Sequence, residues 1–176
     1  MGIKNRTLAF KFDLDIIENL LGLSDFKNYN YDDLMTAVTD WRGFGQNQES
    51  YSTLKEEGSL KYIASKKLKV RLEKFYGSAG NGIISNMEAD VMMQREILNY
   101  LNVNYPKLVL RRDEYDDKLL ILNFKSVLKK DLTLKSLIKA KHRFMTNKYT
   151  GILNYDKNQK ELKGQIKSVL DKFNKP

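Results

Sequence analysis

The sequence predicts an α+β domain, in which a small, mostly antiparallel sheet is flanked by helices and preceded by a helical N-terminal part. Three observations point that way. Apolar residues make up 41% of the chain, enough for a core in 176 residues. Several segments carry apolar residues at helical spacing, and others read as short strands bracketed by glycine or by an acidic turn. Residues 1–50 form the helical part, and 51–176 form the α+β core, continuous with it.

Taken in order, 7–12 (Thr-Leu-Ala-Phe-Lys-Phe) reads as a strand. Asp13 then caps a helix with Ile16, Ile17, Leu20 and Leu21 on one face, ended by Gly22. A second helix follows Asn30. Leu34, Val38 and Trp41 recur at helical spacing, Asp32 and Asp33 suit its positive end, and Gly43 stops it. Residues 43–53 are a polar loop and the best internal boundary. Trp41, Phe44 and Tyr51 flank that loop and are expected to be buried. The stretch 59–76 fits alternation at Leu68, Val70 and Leu72 and also a four-residue period; the glycines on either side favour strands.

Gly77 to Gly82 reads as a connector. It lacks the Lys-Ser/Thr of a phosphate-binding P-loop. Ser85 and Glu88 have the spacing of a capping box and open a helix through Leu101, which Pro106 bars from continuing. Residues 107–112 and 118–124 read as an antiparallel pair around Asp113-Glu114-Tyr115-Asp116-Asp117, with Leu119-Leu-Ile-Leu122 as a covered strand. The acidic turn is a solvated connection or a partner for Arg111 and Arg112. Thr133 caps a helix over 134–146, 149–154 returns as a strand, and 157–173 is a last helix with Leu162, Ile166, Val169, Leu170 and Phe173 on one face.

The charge is strongly uneven. From Lys118 to Pro176 there are 15 Lys/Arg and four acids, whereas the first 60 residues are net −4; the whole chain is +9. Such a concentration of charge suits a polyanionic partner. Lys135, Lys139 and Arg143 lie four residues apart on the 134–146 helix, turning only about 40° from one to the next, so they form a ridge. Lys160, Lys163 and Lys167 form a second ridge. Arg111, Arg112, Lys125, Lys129 and Lys130 sit at the strand ends between. These eleven residues are the expected contacts to a nucleic-acid backbone. Lysine lacks the planar fork that reads base edges, so binding with little sequence specificity is expected. Tyr105, Tyr115, Phe124, Phe144, Tyr149 and Tyr155 lie near the patch and are expected to be core or rim rather than base-stacking surfaces.

There is no cysteine and only one histidine, His142, which excludes disulfides, thiolate chemistry and Cys- or His-rich metal sites. His142 stands among cations without an orienting acid nearby in sequence. No catalytic residue, cofactor or metal site is expected. No apolar run is long enough to span a membrane and no signal peptide is visible, so a cytoplasmic protein without a membrane role is expected.

The order helix, strand, strand, helix, strand, helix from Ser85 resembles part of the core of PD-(D/E)xK nucleases. The aligned positions read Pro106-Lys107 and Asn123-Phe124-Lys125. Pro106 and Lys125 match, while Lys107 and Asn123 replace the two metal-binding carboxylates. The resemblance implies a degenerate metal-dependent nuclease. The leading expectation is nevertheless a non-enzymatic nucleic-acid-binding accessory protein. The alternative is an interaction, inhibitor or assembly component from a phage or other mobile element, whose basic face meets an acidic protein.

Overall fold

The structure is a computed structural model that describes residues 3–40, 42–45, 49–78, 80–110 and 116–173. Among these residues, 85% are helical and none lies in a strand. The elements are α1 (Ile3–Leu20), α2 (Tyr31–Thr39), α3 (Glu49–Glu56), a 3-10 turn (Ser59–Tyr62), α4 (Lys66–Ser78), α5 (Asn81–Asn104), α6 (Pro106–Leu110), α7 (Asp117–Lys130) and α8 (Leu132–Phe173). No helix among the described residues is long and apolar enough to cross a membrane.

The expected sheet is therefore replaced by helices, and burial shows why. Residues 7–12 lie within α1, which buries Phe10, Leu14 and Ile17 while Leu8 is exposed. In 59–76, α4 buries Leu68, Leu72 and Phe75, so the four-residue period outweighs the alternation. The run Leu119–Leu122 belongs to α7, which buries Leu120, Phe124 and Leu128 and leaves Leu119 and Leu122 exposed. Four apolar neighbours had looked like a strand covered on both faces; two of them are surface residues. Residues 149–154 are the middle of α8, where Ile152 and Tyr155 are buried one turn apart.

The nuclease resemblance loses its basis in the same way. Pro106 opens α6, where its missing N–H costs nothing, and Asn123-Phe124-Lys125 lies inside α7. Among the described residues no strand lies there to present metal ligands. Of the acidic turn, Asp116 caps α7 by accepting from Lys118 N–H at 2.8 Å, and Asp117 occupies the first turn; residues 113–115 lie outside the described residues. Ser85 is internal to α5 and caps nothing, and α8 is capped by Asp131 rather than Thr133. The helix after Asn30 is as expected at its start. Asn30 Oδ1 accepts from Asp33 N–H at 2.8 Å and Asp33 Oδ2 accepts from Asn30 N–H at 3.0 Å, a capping box. It ends at Thr39, and Trp41 lies outside the described residues.

The chain divides into two compact units, Met1–Gly43 with Ser85–Tyr149, and Phe44–Ile84 with Thr150–Pro176. In the first, α1 packs on α2 and α2 on α7 around Ile16, Ile17, Leu34, Val38, Ile97, Leu101 and Phe124. The Tyr31 hydroxyl donates to Leu108 C=O at 2.6 Å and ties α2 to α6. In the second, Phe75 and Tyr155 pack ring to ring at 4.7 Å, and Phe44 meets Tyr155 edge-on at 5.0 Å. At Gly151 an added Cβ would lie 2.8 Å from Ile83 Cγ1, so the absence of a side chain sets how closely α8 approaches Ile83.

The first unit buries an ionic cluster. Asp90 on α5 receives Lys141 Nζ on one carboxylate oxygen, at 2.9 Å, and Lys148 Nζ on the other. Lys141 also donates to Asp40 C=O at 3.0 Å, and the Lys148 ammonium lies 4.8 Å from the centre of the Phe10 ring. All three charged side chains are at most 2% exposed. Burial pushes the Lys141 ammonium below its ordinary pKa, and Asp90 opposes that only in part. Asp13, also buried, is held by Arg42, with Arg42 Nη2 donating at 3.0 Å. One carboxylate thus serves two cations, and this asymmetry yields a test. In urea unfolding at neutral pH, Asp90→Asn is expected to cost about 3–5 kcal/mol because it leaves two buried ammonium groups without a counter-charge. Lys141→Met leaves a one-to-one pair and is expected to cost less, about 1.5–3 kcal/mol, the range for a lost hydrogen bond to a charged group. A Lys141→Met cost equal to or above that of Asp90→Asn would contradict this account.

Candidate nucleic-acid interface

The end of α7 and the start of α8 are joined by one residue, Asp131. Its Oδ1 accepts from Leu134 N–H at 2.9 Å, capping α8. Its Oδ2 accepts from Tyr105 and Tyr100 hydroxyls at 2.7 and 2.9 Å. Burial pushes this carboxyl up, but the N–H groups of Leu134 and Thr133 and the two phenols outweigh it and hold the pKa below the ordinary value. The junction is thereby fixed on the end of α5.

Lys125, Lys129 and Lys135 converge as a result. They line a groove of about 230 Å³ in the first unit, completed by Leu128 and by Asn19–Gly22 at the end of α1. No carboxylate is among its lining residues. Gly22, at φ +74°, turns the chain after α1 in a conformation that side chains rarely adopt, and Leu23 N–H closes the turn on Glu18 C=O at 2.8 Å.

Lys125 is the inner cation. Its Nζ donates to Asn19 Oδ1 at 2.6 Å and lies 5.9 Å from the centre of the Tyr29 ring. The Tyr29 hydroxyl donates to the same Asn19 oxygen at 2.7 Å, and Asn19 Nδ2 donates to Ser24 C=O at 2.9 Å. The amine is thus positioned by a neutral amide rather than by a carboxylate. Burial, followed by the charges of Lys27 and Lys129, brings its pKa below the ordinary lysine value. An anion entering the groove would relieve that repulsion.

The other sequence-nominated residues are placed as follows. Lys139 and Arg143 are exposed on the next turns of α8 and continue the ridge from Lys135. Lys130 is exposed in the last turn of α7 but does not line the groove; with Lys129 it also complements the negative end of that helix. Lys160, Lys163 and Lys167 are exposed on the part of α8 that belongs to the second unit. Lys160 is paired with Asp156 at 2.6 Å, so part of its charge is offset. Arg111 and Arg112 lie outside the described residues. His142 Nε2 is 3.6 Å from Glu18 Oε1, an acid supplied from α1 that local sequence did not reveal.

The aromatic residues near the ridge are mostly occupied. Phe124 and Tyr155 are buried, the Tyr105 hydroxyl is held by Asp131, and Phe144 and Tyr149 are half-buried; Tyr115 lies outside the described residues. Sequence reasoning missed Lys27, Tyr29 and Asn19. They sit in the acidic first third, where the segment's net charge hid a single lysine.

No family model matches the chain, and no curated protein or solved structure resembles it at a significant level.

The depressed Lys125 pKa gives a pH dependence with a definite sign. Only the charged amine attracts an anion, and this amine loses its proton earlier than an ordinary lysine. Binding of inorganic polyphosphate is expected to weaken as pH rises from about 8 to 10, the range just below the ordinary lysine value. In Lys125→Arg, whose guanidinium stays charged, the same titration is expected to be flatter. Equal slopes in the two proteins would contradict the role given to Lys125.

Proposed function

We propose that this chain is a non-enzymatic nucleic-acid-binding protein that holds a phosphate backbone in the α7–α8 groove and along the Lys135, Lys139, Arg143 ridge. The observation that carries this reading is the convergence of Lys125, Lys129 and Lys135 on one groove without a carboxylate in its lining. A phosphate seated there would meet three ammonium groups and displace the counterions that otherwise screen them. Lys139 and Arg143 would meet neighbouring phosphates along the strand. None of these residues has an ion-pair partner among the described residues.

The chemistry of the set also speaks to specificity. Four of the five cations are lysines, which act as point charges and grip phosphate without reading bases. The partner is accordingly recognised by its charge and the spacing of its phosphates. An acidic protein surface offers part of the same chemistry but lacks regular phosphate spacing.

Fluorescence anisotropy of labelled single- and double-stranded DNA and RNA tests the reading. Binding is expected to weaken steeply with salt. Lys135/Lys139/Arg143→Ala is expected to lower the magnitude of the log–log salt slope by about 2–3, close to one unit per lost phosphate contact. Absence of binding at low salt, or an unchanged slope in the triple variant, would overturn the proposal; the first outcome would direct attention to an acidic protein partner.

A further inference from the structure

The second unit carries a different groove, made by α3, the 3-10 turn, α4 and the first turn of α5. Its volume is about 750 Å³, within the range of small-molecule sites. Two kinds of chemistry meet in its walls. Tyr51 and Tyr76 stack in parallel, with ring centres 4.5 Å apart and planes within 9°. Tyr76 is backed edge-on by Phe75 at 5.1 Å, and Phe75 is buried, so the stack is anchored to the unit's core. Lys55, Lys61 and Lys69 line the same groove, together with a single carboxylate, Glu73.

The placement of α3 is informative. This helix buries no residue, so Tyr51 serves the groove rather than a core. A flat ring laid on the Tyr51–Tyr76 pair would extend the stack, an arrangement that proteins use for unpaired bases. The three ammonium groups supply charge for a phosphate attached to that ring. Glu73 would repel a second anion but can accept hydrogen bonds from ribose hydroxyls, the part that an acidic residue plays in dinucleotide sites. Beside the groove, Tyr62 is 77% exposed with the Lys61 ammonium 5.0 Å from its ring centre. A second flat surface with a cation is therefore available for a neighbouring base.

We infer that this groove takes a ribonucleotide, with its base on the Tyr51–Tyr76 stack, its phosphate among Lys55, Lys61 and Lys69, and its ribose against Glu73. The ligand is either a free nucleotide or an unstacked nucleotide within a single strand. The inference uses none of the residues assigned to the α7–α8 groove.

Saturation-transfer NMR and calorimetry on the full chain, with adenosine 5′-monophosphate as the probe, provide the test. Tyr51→Ala is expected to weaken binding at least about fivefold and Tyr51→Phe to leave it unchanged, because only the ring is required. Lys55/Lys61/Lys69→Ala is expected to remove the preference for the monophosphate over adenosine. Glu73→Gln is expected to reduce the preference for the ribo- over the deoxyribonucleotide. Lys135/Lys139/Arg143→Ala is expected to bind the monophosphate like the parent, so loss of backbone binding and loss of this site are read separately. A short oligoadenylate that binds at least about tenfold tighter than the mononucleotide, and is equally sensitive to Tyr51→Ala, identifies a strand as the source; equal affinities identify a free nucleotide. No saturation transfer to the monophosphate, unchanged binding in Tyr51→Ala, or competition by inorganic phosphate as strong as by the nucleotide would overturn the inference.

Discussion

Two lysines and one aspartate, buried together, fix how α8 lies in the first unit. The buried stripe of α8 runs Leu134, Ile138, Lys141, Met145 and Lys148, alternating steps of four and three residues. Lys141 and Lys148 thus occupy positions that an ordinary helical core would give to leucine. Both reach the same Asp90 on α5, one on each oxygen. A helix packed by apolar contacts alone can turn or slide at modest cost. One whose buried ammonium groups must both meet a single carboxylate has a single register, because any shift strands a charge in the core. That register sets the outward face, on which Lys139 and Arg143 stand exposed.

The start of α8 is pinned by a second carboxylate. Asp131 caps the helix with one oxygen and holds two tyrosines with the other. With both the start and the rotation of α8 determined, Lys135 comes to rest beside Lys125 and Lys129. The basic groove is therefore a consequence of two well-satisfied acids elsewhere, rather than of attraction among its lysines, which repel one another. The pKa of Lys125 is depressed first by burial and then by the charges of Lys27 and Lys129.

The sequence disclosed helices where the apolar period was uninterrupted, as in α2 with its Asn30 cap and the last stretch of α8. It concealed them where surface residues were apolar or core residues were charged. Leu119 and Leu122 made α7 look covered on both faces, although Leu120, Phe124 and Leu128 are its true stripe. Lys141 and Lys148 interrupted the stripe of α8, so one helix of 42 residues was divided into two helices and a strand. Glycine misled as well: Gly77, expected in a turn, lies within α4. For the site, the ridge of Lys135, Lys139 and Arg143 followed from local periodicity alone. The pairing of Lys125 with Asn19, and the acid that faces His142, involve residues about a hundred positions apart and leave no local trace.

The central claim is that a phosphate backbone lies in the α7–α8 groove, and mapping of backbone amide chemical shifts on the intact protein addresses it residue by residue. With a short unlabelled oligonucleotide added at low salt, the account predicts the largest perturbations in three separate segments: Asn19 to Gly22, Lys125 to Lys129, and Lys135 to Arg143. These segments are brought together only by the fold. Saturable binding that leaves all three unperturbed would contradict it.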